Sequence, residues 1–150
     1  MKKIVRRASS ILRLTIQEEA VDLIAKRSRF TPRISNRILK RVRDFAVTSG
    51  HTVISDEVAK KALNFFEIDE FGLEPGDRKL LEVIITKFSG GPVGVQALSA
   101  GSSEEQDTIL DIYEPYLLSL GFIERTPRGR IATKKAYEHL GFIPGQKNLL

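Results

Sequence analysis

Arg125, Arg128 and Arg130 fall within six residues, around Pro127 and Gly129. Guanidinium groups so placed suit oxyanions, because each planar fork can donate two parallel hydrogen bonds to a phosphate or carboxylate. Crowded near a turn, they are predicted to face outward rather than serve core packing. The turn is legible in its residue types: Pro127 fixes φ at an early turn position, and Gly129 accepts positive φ without a Cβ clash. Short β-branched and apolar runs, Phe122–Ile123 and Ile131–Thr133, flank it and predict a hairpin. On these residues alone two readings stay open, a grip on nucleic-acid phosphates and an ordinary solvated turn.

Other chemistry is sparse. The absence of cysteine excludes disulfides and thiolate metal sites, and two isolated histidines, His51 and His139, do not make a zinc site. No pairing of carboxylates suggests acid–base catalysis, so neither a catalytic residue nor a metal ligand is expected. The run Gly90-Gly91-Pro92-Val93-Gly94 lacks the Lys-Ser/Thr of a phosphate loop and reads as a turn between helices. No apolar run approaches the roughly 20 residues that span a bilayer, and no signal peptide is visible, so a cytoplasmic location is the default. Charge is uneven. In residues 1–50, 13 lysines and arginines face 4 acids and leave +9, so the remainder carries −4 of the total +5. A basic segment joined to a mildly acidic one suggests two units with different partners, the first meeting nucleic acid, a nucleotide or an acidic protein surface.

The elements that must position these residues are mostly helical. Apolar spacing predicts a helix over Ile4–Leu14, and Thr15 with Glu18 reads as a capping box opening a second helix through Ser28. Thr31-Pro32 places a capping residue before a proline at the first helical position; the helix that follows carries Ile34, Ile38, Leu39, Val42 and Phe45 on one face and ends before Gly50. Ser55 caps a fourth helix with Val58, Ala59, Ala62, Leu63 and Phe66 inward. The acidic, Pro/Gly-bearing segment Glu67–Gly76 is the expected boundary, giving domains 1–73 and 74–150. Beyond it, Asp77 is expected to cap a helix through Phe88, Val93–Ala100 to form a second, and a third to run from Gly101 to Gly121. The hairpin and a final amphipathic helix follow. Helix, helix, helix, hairpin is the order of a winged helix, so the fold class is mainly α: a small helical bundle, then a winged-helix domain.

Five runs, in order, carry a resemblance: RSRFTPRISNRILKRVRDFA (27–46), EIDEFGLEPGDRKLLEVI (67–84), KFSGGPVGVQAL (87–98), DTILDIYEPYL (107–117) and GFIERTPRGRIAT (121–133). They make the chain closely similar, from about Ile4 to Gly141, to the C-terminal part of the RuvB family, bacterial motors that drive branch migration of Holliday junctions in recombination and DNA repair. The resemblance implies an AAA+ lid over residues 1–73 and a winged-helix DNA-binding domain over 74–150, without the family's ATPase core. It further implies that Arg33 matches the sensor-2 arginine, which reaches nucleotide phosphate, and that Arg125 and Arg130 match DNA-contacting arginines, with Arg128 between them. Phosphate contact should dominate over base readout, since such a motor moves over any sequence.

Two departures stand out. Phe30 occupies a place where the family usually has glycine, so the turn there is altered or its aromatic exposed. Gln106 replaces a frequent arginine, keeping a hydrogen-bond donor to phosphate but no charge. Tyr113, Glu114, Pro115 and Tyr116 are read as shaping the packing below the hairpin. The resemblance implies ATP or ADP with magnesium for an intact motor and none for this stretch alone, which should not hydrolyse ATP. It implies as partners double-stranded DNA, Holliday junctions, the junction-binding protein RuvA, and further copies forming a hexamer. The alternatives are a stand-alone winged-helix DNA-binding regulator and a module whose basic helix docks an acidic protein.

Overall fold

A computed structural model describes residues 1–144 and divides the chain into two compact units, Met1–Glu74 and Pro75–Leu150. The first is a helical bundle. Helix α1 (Lys2–Ile11) ends earlier than its apolar spacing suggests, with Arg13 left-handed at φ 54°. Thr15 does not cap a helix. Strand β1 (Thr15–Ile16) pairs in parallel with β2 (Val53–Ile54), and this pairing moves the start of α2 (Glu18–Lys26) back to an N-cap at Gln17. Helix α3 (Pro32–Thr48) begins as expected, with Pro32 in the position where a missing N–H costs nothing. The Thr31 hydroxyl, however, donates to the Arg29 carbonyl at 2.9 Å instead of accepting from a helix amide. In α4 (Asp56–Phe65), Ser55 does cap, its Oγ accepting from the Val58 N–H at 3.2 Å. Val5, Ile24, Ile38, Leu39, Val42 and Leu63 form the buried centre, and Ile34, Phe45 and Phe66 pack against it.

The segment predicted as a boundary is an ordered turn bound to this bundle. Ile68 and Leu73 are buried, and the Asp69 carboxylate accepts from the N–H groups of Phe71 and Leu73 at 3.0 and 2.9 Å. Arg27 and Arg29 donate from Nε to the carbonyls of Asp69 and Gly72, at 3.0 and 3.1 Å. Desolvation holds the half-buried Arg27 below its ordinary pKa, against the pull of Asp69 and Glu70. Gly72, at φ 75°, lies where a Cβ would overlap the Arg27 carbonyl, so glycine is required there.

In the second unit, α5 (Pro75–Lys87) starts before Asp77, which is buried in its first turn rather than capping. Proline suits the first helical position, and this shifts the start by three residues, from Arg78 to Pro75. Helix α6 (Val95–Ser102) begins later than expected because Val93 is used otherwise: its N–H and C=O exchange hydrogen bonds with Arg130 at 3.0 and 2.8 Å. Because α6 runs through Gly101 and Ser102, the third helical run opens only at Gln106. It comprises α7 (Gln106–Thr108), a π-type segment Ile109–Tyr113 and α8 (Glu114–Ser119). Strands β3 (Ile123–Thr126) and β4 (Gly129–Ala132) form the antiparallel hairpin, and α9 (Lys134–Leu140) closes the unit. Leu80, Leu81, Ile84, Leu98, Ile109, Leu117 and Phe122 are fully buried within it. The architecture is mainly helical, with one small antiparallel hairpin.

Candidate nucleic-acid interface

The hairpin is narrower than its flanking apolar runs suggest, because the strands continue to Thr126 and Gly129 and leave only Pro127 and Arg128 as the loop. Two local bonds fix that loop. The Thr126 hydroxyl donates to the Gly129 carbonyl at 2.8 Å and accepts from the Arg128 N–H at 3.3 Å. Gly129, at φ 130°, lies where any Cβ would overlap the Val93 backbone, so the strand at Val93 can approach only a glycine. The tip is thus held by its own backbone and by a third short strand position.

The three arginines meet different fates. Arg128 is exposed, and among the described residues no acid pairs with its guanidinium. Arg125 and Arg130 are directly opposite in the hairpin, hence on the same face, where two like charges repel. Glu114, only 2% exposed, offsets that repulsion. It accepts from Arg130 Nε at 2.8 Å and from Arg125 Nη2. The Arg130 side chain is 11% exposed, against 58% for Arg125. The expectation that none of these guanidiniums serves the core therefore fails for Arg130, because a buried carboxylate sixteen residues back supplies the charge that burial demands. Glu114, read from sequence only as a packing residue, is the side chain that organises the cluster. Its one local signal was a carboxylate three residues before the apolar Leu117; its place on the face of Ile109 depends on the π-type segment.

Gln106 is exposed at the start of α7, and among the described residues its side-chain amide makes no hydrogen bond. Between Glu104 and Ser119 the chain has five acids and no lysine or arginine, so the exposed face of this helical run is poor in cations for phosphate. In the first unit, Arg33 is exposed in the first turn of α3, and among the described residues no acid pairs with it. Its neighbours are engaged otherwise: Arg37 and Arg41 face Glu74 at 2.7 and 3.6 Å, and Arg43 faces Asp44 at 2.8 Å. Phe30 is left-handed at φ 51° and 84% exposed, so its ring stands in solvent. No cluster of His, Asp or Glu among the described residues could hold a metal ion, and none of their helices is long and apolar enough to cross a membrane.

Three helices, a strand position at Val93 and a fixed hairpin define a winged-helix domain, preceded by a separate helical bundle. The chain belongs to the RuvB family. Residues 1–69 match the RuvB AAA lid domain, and residues 70–141 match the RuvB C-terminal winged helix domain. The Holliday junction branch migration complex subunit RuvB of Dehalococcoides mccartyi is 52% identical over 145 residues, covering 97% of this chain and 41% of the relative. That of Prosthecochloris aestuarii is 51% identical, covering 97% and 43%. The Thermotoga maritima RuvB Holliday junction branch migration motor superposes with a TM-score of 0.90 at 47% identity, covering 95% of this chain and 48% of that one. The chain therefore spans about two-fifths of the length of the curated relatives it matches. The two family domains in tandem favour the motor reading over a stand-alone regulator.

Proposed function

We propose that the chain supplies the lid and the DNA grip of an ATP-dependent Holliday junction branch-migration motor. The observation that carries this reading is the hairpin tip, where Arg128 and Arg125 present guanidinium donors to solvent from a backbone held by Thr126, Gly129 and Val93. These two arginines bind duplex phosphates without regard to sequence, and Arg130 supports them from within. Gln106 adds a neutral donor. Arg33 reaches the phosphates of ATP or ADP, whose remaining contacts, with magnesium, come from an ATPase core. Motion of the lid is thereby passed to the winged helix and to the DNA. The complete motor works in the bacterial cytoplasm as a hexamer with RuvA on the junction. Fluorescence-anisotropy titrations with several unrelated duplexes and a four-way junction test the grip. Similar affinities for all the duplexes support it, and strong preference for one sequence contradicts it.

A further inference from the structure

Glu114 holds two cations with one negative charge. It lies on the buried face of its helical run, beside Ile109 and Leu117, where a carboxylate persists only when paired. Its two arginines are not equivalent. Arg130 is buried, donates from Nε at 2.8 Å and from Nη2 at 3.4 Å, and has only 11% of its side chain exposed. Arg125 is more than half exposed and touches Glu114 through Nη2, leaving other donors toward solvent. When Arg125 leaves, Arg130 still neutralises the carboxylate. The cluster can therefore lose one member without stranding a buried charge.

We propose that Glu114 is a positioning residue for the wing. It holds Arg125 as an internal stand-in for phosphate, so that duplex binding exchanges Arg125 from this carboxylate to the DNA backbone. The inference rests on the phosphate-gripping reading of the hairpin given above. The exchange orients Arg125 before DNA arrives and subtracts the carboxylate's attraction from the grip. Such a contact is weaker than that of a free arginine and quicker to release, which suits a protein that must let go of each phosphate in turn.

The test is the double substitution Glu114→Gln with Arg130→Met, which removes the buried pair together and leaves Arg125 in place. Thermal unfolding followed by circular dichroism establishes that the variant folds, and Glu114→Gln alone serves as a second variant, since its amide oxygen can still accept from Arg130. By anisotropy with random-sequence duplex, the variant should bind roughly two- to fivefold tighter than the parent. That gain should vanish once Arg125→Ala is added. Unchanged or weaker binding, or a gain that survives Arg125→Ala, overturns the inference. Guanidinium NMR of the unaltered chain gives a check free of substitutions. On adding duplex, the terminal N–H signals of Arg125 should shift while Arg130 Nε–H stays, and a static Arg125 or a moving Arg130 overturns the inference. If the parent binds no duplex, the wing reading falls and this inference with it; a parent that binds while the variants show no gain sinks this inference alone.

Discussion

Arg128 and Arg130 stand two positions apart, yet one is exposed at the turn and the other is buried against Glu114. Their removal should separate stability from binding. Arg128→Ala should change unfolding free energy by no more than about 0.5 kcal/mol, since it takes away no intramolecular partner. Arg130→Ala should cost about 2–4 kcal/mol, because Glu114 loses its buried cation and the core loses the arginine stem. Urea denaturation followed by circular dichroism measures both, and equal losses would contradict the assignment. The residue types at the wing were legible in the sequence, but their destinations were not. Arg130 finds its partner sixteen residues away, in a helical run with a π-type segment at Ile109–Tyr113. The wider turn brings Ile109 and Glu114, five apart, onto one face, a spacing that ordinary helical periodicity does not look for.

The cap at Ser55, a local signal, was read correctly, whereas the elements at Thr15 and Val93, decided by distant pairing, were not. Ser55 bonds an amide three residues on, so its cap follows from sequence. Thr15 and Glu18 have a capping-box pattern too, but pairing of Thr15 with Val53 takes the residue into a strand. Val93 was assigned to a helix for the same reason: its strand partner, Arg130, is far along the chain. Ser55→Ala should therefore cost about 1 kcal/mol of stability. Thr15→Ala, at an exposed strand position, should stay within about 0.5 kcal/mol. Chemical denaturation of the two variants compares them directly, and a larger loss at Thr15 would contradict these assignments. The order of helices and hairpin survived these shifts because each core is set by apolar faces, such as Ile38, Leu39 and Val42 in α3, that helical spacing does reveal.

Across the whole chain, charge is divided as function requires on this account. The basic first third carries Arg33, with which no acid pairs among the described residues, whereas the helical run preceding the wing is acidic and leaves the hairpin to supply the cations for DNA phosphate. That division makes the number of phosphates engaged small and countable. If Arg125 and Arg128 each neutralise one phosphate, the log–log dependence of affinity on salt has a slope of about −1.8, and binding to random duplex weakens about twelvefold from 50 to 200 mM salt. The decisive measurement is this slope for the parent chain and for Arg128→Ala. The account predicts a slope shallower by about 0.9 in the variant, equally on every duplex. The same slope in both proteins, or a change confined to one DNA sequence, would contradict a wing that grips the backbone.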